Sequence, residues 1–499
     1  METIQGKTES IWIATSRDTN YPALKNNIEV DVAIIGGGIT GLTSALLLKR
    51  AGKSVAVIEA DKIVKGTTGY TTAKITSLHT LIYKYLIDNF GKENAQKYAN
   101  AQQSAIEKMA QIVKEKNIKC DFIRTSSYTY TESEDYVKQI KDEAEAAKSL
   151  GLPASFITTT PLPFHIKAAL RFDNQAQFHP RKYLLALADE INGDGSYVFE
   201  NSRVTNIKED EPYLVTAENK TLKAKKVIVA TNFPILNKHL NFTDPEKSCA
   251  LALYIEGKVP EGMYINNQKP LFSIRNQPTE KGKILIITGN VYKTEDGNDV
   301  IESLKLLEKI TREHFKAKSV EYYWSTQDSK TIDGIPYIGK YPSSNHFLVA
   351  AGFGGWGMTN GTAAAMILSD IILSRQNPWA SIFDPNRIKQ GKSVIKVIEE
   401  NVNFMRNYIS GHLKKEKSDL SEIKKGEANI VEINNKKIAA YRDNNNVIHA
   451  VSAVCTHMGC IVAFNNGEKT WDCPCHGSRF DTDGDVIHGP AVKSLEKLK

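Results

Sequence analysis

Val30-Asp-Val32-Ala-Ile-Ile35-Gly36-Gly-Gly38-Ile-Thr-Gly41-Leu42 sets the architecture of this chain. An apolar run stops at a glycine turn, continues as a helical segment through Leu42 to Arg50, and returns as a second apolar run, Val55-Ala-Val-Ile58, ending at Glu59. Strand, turn, helix and strand make one βαβ unit, the building block of a parallel sheet. The glycines divide the work of binding a dinucleotide. Gly36 permits the tight turn, Gly38 lets the backbone approach a pyrophosphate, and Gly41 allows close packing of helix on strand while helix N-terminal amides face the phosphates. Glu59 stands where an acid takes the ribose hydroxyls. Residues 32 to 48 carry no charge, but three consecutive glycines and a short strand-then-helix pattern read as a buried turn, not a membrane span.

The 499 residues exceed a single core and predict two or three domains. The composition, 41% hydrophobic and 24% charged, is that of a soluble globular protein. Lys and Arg number 64 against 57 Asp and Glu, and the net +7 is spread without the clustered basic stripe of a nucleic-acid binder. No nucleic-acid partner and no transmembrane segment are expected. The start Met1-Glu-Thr-Ile-Gln-Gly-Lys7 lacks the basic and apolar regions of a signal peptide, so a cytoplasmic protein is expected.

Near the other end, Cys455-Thr-His457-Met-Gly-Cys460 is followed by Cys473-Pro-Cys475-His476-Gly-Ser478. A Cys/His pair on each of two loops suits tetrahedral zinc. It equally suits a 2Fe-2S cluster with cysteines on one iron and histidines on the other, an arrangement that raises the potential. Zinc leaves Cys460 and Cys475 unexplained. Residues 418 to 499 resemble the Rieske family, which implies Cys455, His457, Cys473 and His476 as cluster ligands and a Cys460–Cys475 disulfide joining the loops. The resemblance also matches Ser478 to a serine that donates to a cluster sulfur, and Gly489-Pro490-Ala491 to a loop covering the cluster. Phe480 departs from it, since high-potential members carry a tyrosine there. One hydroxyl fewer stabilises the reduced cluster less, implying a potential below the top of the Rieske range. Cys120 and Cys249 are expected to be reduced, structural thiols.

Gly66-Thr67-Thr-Gly-Tyr-Thr-Thr72-Ala73-Lys74 resembles the second FAD-contacting segment of the D-amino-acid oxidase/glycine oxidase superfamily, which selects FAD over NAD. Lys226-Val-Ile-Val-Ala230-Thr231-Asn232 resembles the superfamily's strand end near the FAD, and Val204 matches its adenine contact. Asp333-Gly-Ile-Pro336-Tyr-Ile-Gly339 and Ala351-Gly352-Phe-Gly354-Gly355-Trp356-Gly-Met358-Thr359 resemble the terminal FAD segment, whose glycines admit the isoalloxazine. Together the motifs resemble bacterial FAD-dependent oxidoreductases with a fused Rieske domain. The implied fold is an α/β FAD-binding Rossmann-like domain of the glutathione-reductase type, an interleaved α+β substrate lobe, and a C-terminal all-β Rieske domain. The FAD-dependent region is placed at about 28–385, with the FAD lobe at about 28–80, 165–235 and 330–375 and the substrate lobe at about 80–165 and 240–330. An amphipathic helix from Ile388 to Leu413 and a Lys-rich linker then fill about 386–417, before the Rieske domain at 418–499.

A flavin accepts two electrons as hydride whereas a 2Fe-2S cluster passes one at a time. The expected function is dehydrogenation of a small-molecule amine or amino acid, with electrons leaving through the cluster to an external one-electron acceptor. The alternative is an electron-transfer module serving a partner protein. A second dinucleotide fingerprint is missing, which argues against a nicotinamide-fed reductase. Outside the cluster motif no closely spaced histidines suggest the mononuclear iron of an oxygenase. The absence of cysteine between Cys249 and Cys455 excludes covalent flavin attachment there. Catalytic candidates are three. Lys74 is either a cation at the flavin edge or a phosphate or surface contact. Arg275 is either a bidentate partner for a substrate carboxylate or an exposed arginine. His79 either faces the pocket or sits in the core. Trp356 caps the pocket or fills the core.

Overall fold

The computed structural model describes residues 4–208, 213–217, 220–233, 235, 245–293, 300–342, 344, 346–389, 411–412 and 419–498. The helix read at Ile388 to Leu413 lies almost wholly outside them.

The fingerprint strand Ile28–Ile35 is central in an eight-stranded sheet whose order is Tyr337–Lys340, Phe347–Ala351, Lys220–Asn232, Ile28–Ile35, Val55–Ile58 and Tyr197–Phe199, with Val204–Lys208 and Tyr213–Ala217 as an antiparallel flank. Pairing from Phe347–Ala351 through Tyr197–Phe199 is parallel. A parallel strand covered on both faces must be apolar throughout. Accordingly, Val32, Ile34 and Val57 enter the core shared with helices Ile39–Arg50 and Gly357–Ile372, while Ala33, Ile35 and Ile58 enter a second core behind the sheet.

The second large sheet has ten strands, in the order Lys7–Thr8, Ala317–Asp328, Glu246–Ile255, Gly282–Lys293, Phe272–Thr279, Met263–Asn266, Ile123–Thr131, Ala168–Gln177 and Lys74–Ile75, with Ala154–Ile157 paired to Ala168–Gln177. It is antiparallel except at two pairings. The chain crosses between the sheets repeatedly, so neither closes without the other. Ala168–Gln177 belongs to this sheet although the sequence reading put 165–235 with the nucleotide lobe. Its antiparallel ladder with Ile123–Thr131 buries Ala168, Leu170 and Phe172 there. Lys7–Thr8 also joins it, from before residue 28. Arg387 closes the region, gripping both Asp333 carboxylate oxygens at 2.8 Å and lying over the Tyr337 ring.

The C-terminal part holds two small antiparallel sheets, Ala428–Ile433, Lys436–Arg442 and Ile448–Ser452, then Ala463–Asn465, Thr470–Asp472, Arg479–Phe480 and Val486–His488. Trp471 and Phe480 pack in its core beside all four motif cysteines. Among the described residues no helix is long and apolar enough to cross a membrane.

Candidate functional site

Strand Ile28–Ile35 ends at a cavity of about 1270 Å³. At its mouth Gly36 has φ +108, and a Cβ there would lie 2.4 Å from the Ala230 carbonyl oxygen. A Cβ on Gly41 would lie 1.9 Å from the Gly36 carbonyl oxygen, so helix and turn touch through backbone alone. Gly38 caps the helix and lines the cavity. Glu59 also lines it, with its carboxylate accepting from the Gly37 and Asp61 amides at 2.8 and 3.1 Å, and burial raises its pKa.

The other predicted contacts divide into wall and support. Thr67, Thr72, Val204, Ala230 and Thr231 line the same cavity. So do Gly354, Gly355 and Met358 at the start of helix Gly357–Ile372. Ala73, Gly352 and Thr359 stand behind the wall. Ala73 offers its carbonyl to Arg275, and Thr359 donates to the Thr76 carbonyl at 3.1 Å. One space thus meets a dinucleotide turn, an acid at the adjoining strand end, and a glycine segment leading into a helix N-terminus. That donor set and volume fit FAD.

Lys74 lines the cavity, hydrogen-bonded to the Ser273 hydroxyl. Burial, with the nearby Arg275 cation adding to it, pushes its ammonium down to about 7. Arg275 itself corrects the sequence reading. It is fully buried, donating to the carbonyls of Thr72, Ala73, Phe178 and Asn276 and to the Gln277 side chain, and stacks over Trp12. It braces the Thr72–Lys74 turn from behind, and its donors are spent on protein acceptors, leaving no fork for a substrate carboxylate. His79 sits in the core, the second of its two readings, and not at the pocket. Its Nδ1 meets the Tyr98 hydroxyl at 2.7 Å, its Nε2 lies 2.9 Å from the Thr76 carbonyl, and its ring stacks on Trp356. Burial pushes it down to about 3, so it is a neutral core histidine that props Trp356 against the cavity.

Two residues escaped the sequence reading. Asp328, at the end of strand Ala317–Asp328, lines the cavity and accepts from the Gly355 amide at 2.7 Å; burial pushes it up to about 6. Gln327 precedes it and donates from Nε2 to the Gly477 carbonyl at 2.8 Å. No spacing in the sequence marks either, because the strand owes its place to pairing with Glu246–Ile255.

At the metal-ligand motif, Cys460 and Cys475 form a disulfide while Cys455 and Cys473 stay free and buried. The sulfurs of Cys460, Cys473 and Cys475 lie within 4.8 Å of one another, but two of these are consumed by the disulfide, which leaves the sequence-predicted quartet. The Cys455 and Cys473 thiols share a hydrogen bond that draws Cys455 down and pushes Cys473 up, so the two sulfurs lie close enough to face one ion. The rings of His457 and His476 approach to 4.9 Å between centroids, and burial pushes both down to about 4, keeping them neutral as ligation demands. Two thiols, two neutral imidazoles and a separate disulfide fit a 2Fe-2S cluster with mixed ligands. Ser478 accepts from the Ala491 amide at 3.0 Å, tying the covering loop to the ligand loop. Phe480 is buried in this core.

The small domain walls the large cavity through Glu468, Arg479, His488, Gly489 and Ala491. Lys247 pairs with Asp472, both nearly solvent-free at 5% and 2% exposed, and Arg479 bridges Asp472 and Glu468. Ser325 donates to Glu468 at 2.7 Å, Arg203 donates to the Val486 carbonyl at 2.8 Å, and His488 meets Phe233 edge-on.

Residues 31–371 match the family described as FAD dependent oxidoreductase, and residues 415–499 match the Rieske [2Fe-2S] domain. The putative Rieske 2Fe-2S iron-sulfur protein YhfW of Bacillus subtilis is 38% identical over 98% of this chain and 97% of its own length. Gamma-glutamylputrescine oxidoreductase of Escherichia coli is 23% identical over 70% of this chain and 85% of its own. Glycine oxidase from Geobacillus kaustophilus superposes with a TM-score of 0.61 at 16% identity, covering 72% of this chain and 99% of its own.

Proposed function

The chain belongs to the FAD-dependent oxidoreductase family and carries a C-terminal Rieske 2Fe-2S domain, and we propose that it dehydrogenates a small amine or amino acid and passes the electrons singly to an external acceptor. The observation that carries this reading is the shared cavity, walled at once by the dinucleotide turn, by Lys74 and by the small domain's loop after His488. FAD supplies a two-electron hydride acceptor, and the cluster supplies one-electron steps. The chain's own residues do the rest. Neutral Lys74 Nζ takes the proton from an incoming substrate ammonium, freeing the nitrogen lone pair that expels hydride from the adjoining carbon and leaves an iminium. Once protonated, Lys74 places a cation against the negative charge that develops in the cavity. Trp356, propped by His79, closes one wall and excludes water.

The relative in Escherichia coli is named for gamma-glutamylputrescine, which joins an amine and an amino acid in one molecule and so supports the substrate class. Anaerobic rapid mixing of the purified protein with a panel of amines and amino acids tests the proposal. Flavin absorbance should bleach first with at least one of them and cluster absorbance should bleach after it. A cluster that never responds to a reduced flavin refutes the serial arrangement.

A further inference from the structure

We propose that Gln327 is the positioning residue of an electron bridge that runs within one chain, from the flavin wall of the cavity to the cluster loop. The proposal rests on the function argued above. Gln327 is 5% exposed and lies between the two sites. On one side its side-chain amide holds the carbonyl of Gly477, the residue after ligand candidate His476. On the other, its own carbonyl accepts from Thr67 Oγ1 at 3.4 Å, and its neighbour Asp328 holds the Gly355 amide. Thr67 and Gly355 both belong to the cavity wall expected to meet FAD.

The approach at Gly477 is built in. It adopts φ +76, which favours glycine, and a Cβ would lie 2.2 Å from Gln327 Nε2 and 3.1 Å from Pro245 Cβ, so a side chain there would displace the Gln327 amide from its place. His476, Gly477, Gln327, Asp328 and Gly355 form a chain of covalent bonds interrupted by two hydrogen bonds. Tunnelling decays more gently along such a chain than across open gaps. Each crossing takes one electron from the reduced flavin to one ferric ion of the cluster, making it ferrous, with the accompanying proton released to the cavity. The external one-electron acceptor then reoxidises the iron. The buried ions around Asp472 hold the domains still, so the electron crosses a fixed contact and not a swinging arm.

The test is flash photoreduction of the flavin in the intact holoprotein, with EDTA as the sacrificial electron donor in place of substrate, reading the cluster's visible band. The unmodified protein should show cluster reduction with a rate independent of protein concentration. Gln327→Glu keeps the length and loses the donor; Gln327→Met keeps the length and loses all polarity. Both should slow the crossing several-fold while flavin content, iron content and the cluster's electron paramagnetic resonance stay as in the parent. A concentration-dependent rate, or parent rates in both variants, overturns the bridge. Lowered thermal stability with an unchanged rate also overturns it, assigning Gln327 to packing. If light-reduced flavin never reduces the parent's cluster, it is the serial function itself that fails.

Discussion

At Lys74 an ammonium faces the hydroxyls of Thr72 and Ser273 with the Arg275 cation beneath, and burial with that cation lowers it to about 7. A depressed lysine is neutral, hence basic, above that value. The rate constant kcat/KM for an amine substrate should therefore climb as pH rises through about 7. Lys74→Met should remove this rise and lower kcat/KM by roughly 10²-fold, the smaller end of general-base effects. A pH profile with the parent's limb intact in Lys74→Met would show that another group takes the proton. Lys74 was legible because it ends a local motif. The role of Arg275 was not, because its carbonyl partners come from Thr72, Ala73 and Phe178, which only the tertiary crossing of strands brings together. A sequence shows an arginine's charge but not the acceptors that surround it.

Elements repeat that division between local and distant causes. The βαβ unit and both ligand loops were readable since their glycines, cysteines and histidines act on neighbours a few positions away. The strand Ala317–Asp328, which carries Gln327 and Asp328 to the two sites, gains its position from a ladder with residues some seventy places earlier. Helix packing gives a test at this scale. Gly361 lies in helix Gly357–Ile372, and a Cβ there would lie 2.7 Å from Ile39 Cγ2 and 3.0 Å from Thr40 Oγ1. Valine at a mid-helix glycine gains a few tenths of a kcal/mol, roughly, in propensity. Overpacking costs about 1–3 kcal/mol, so crowding wins. Gly361→Val should lower the melting temperature and weaken FAD retention, because Ile39 opens the helix whose first turn borders the cavity. Equal or raised stability with FAD retained after gel filtration would mean that the helices separate freely.

Across the whole molecule, the unreadable feature is the docking of the small domain. In sequence Asp472 is one more residue between Trp471 and Cys473. In the fold it is the buried anion facing Lys247 and Arg479, and those two cations hold its carboxyl well below the usual range despite burial. A buried pair is a weak source of net stability, yet removing one partner strands the other charge at about 3–5 kcal/mol. Asp472→Asn strands Lys247 across the contact and leaves Arg479 to Glu468 alone, so the domains should part before either unfolds. A carboxylate with a lowered folded pKa contributes its full stability above its unfolded value and loses it progressively as pH falls from there to the folded one. Acidifying the parent below the ordinary carboxylate range should therefore weaken docking progressively, whereas Asp472→Asn should open it already at neutral pH. Small-angle scattering reads the opening as a larger radius of gyration, and flash photoreduction reads it as slowed flavin-to-cluster transfer. A variant with the parent's radius and the parent's transfer rate would place the hold elsewhere, at Arg203 and the His488–Phe233 contact.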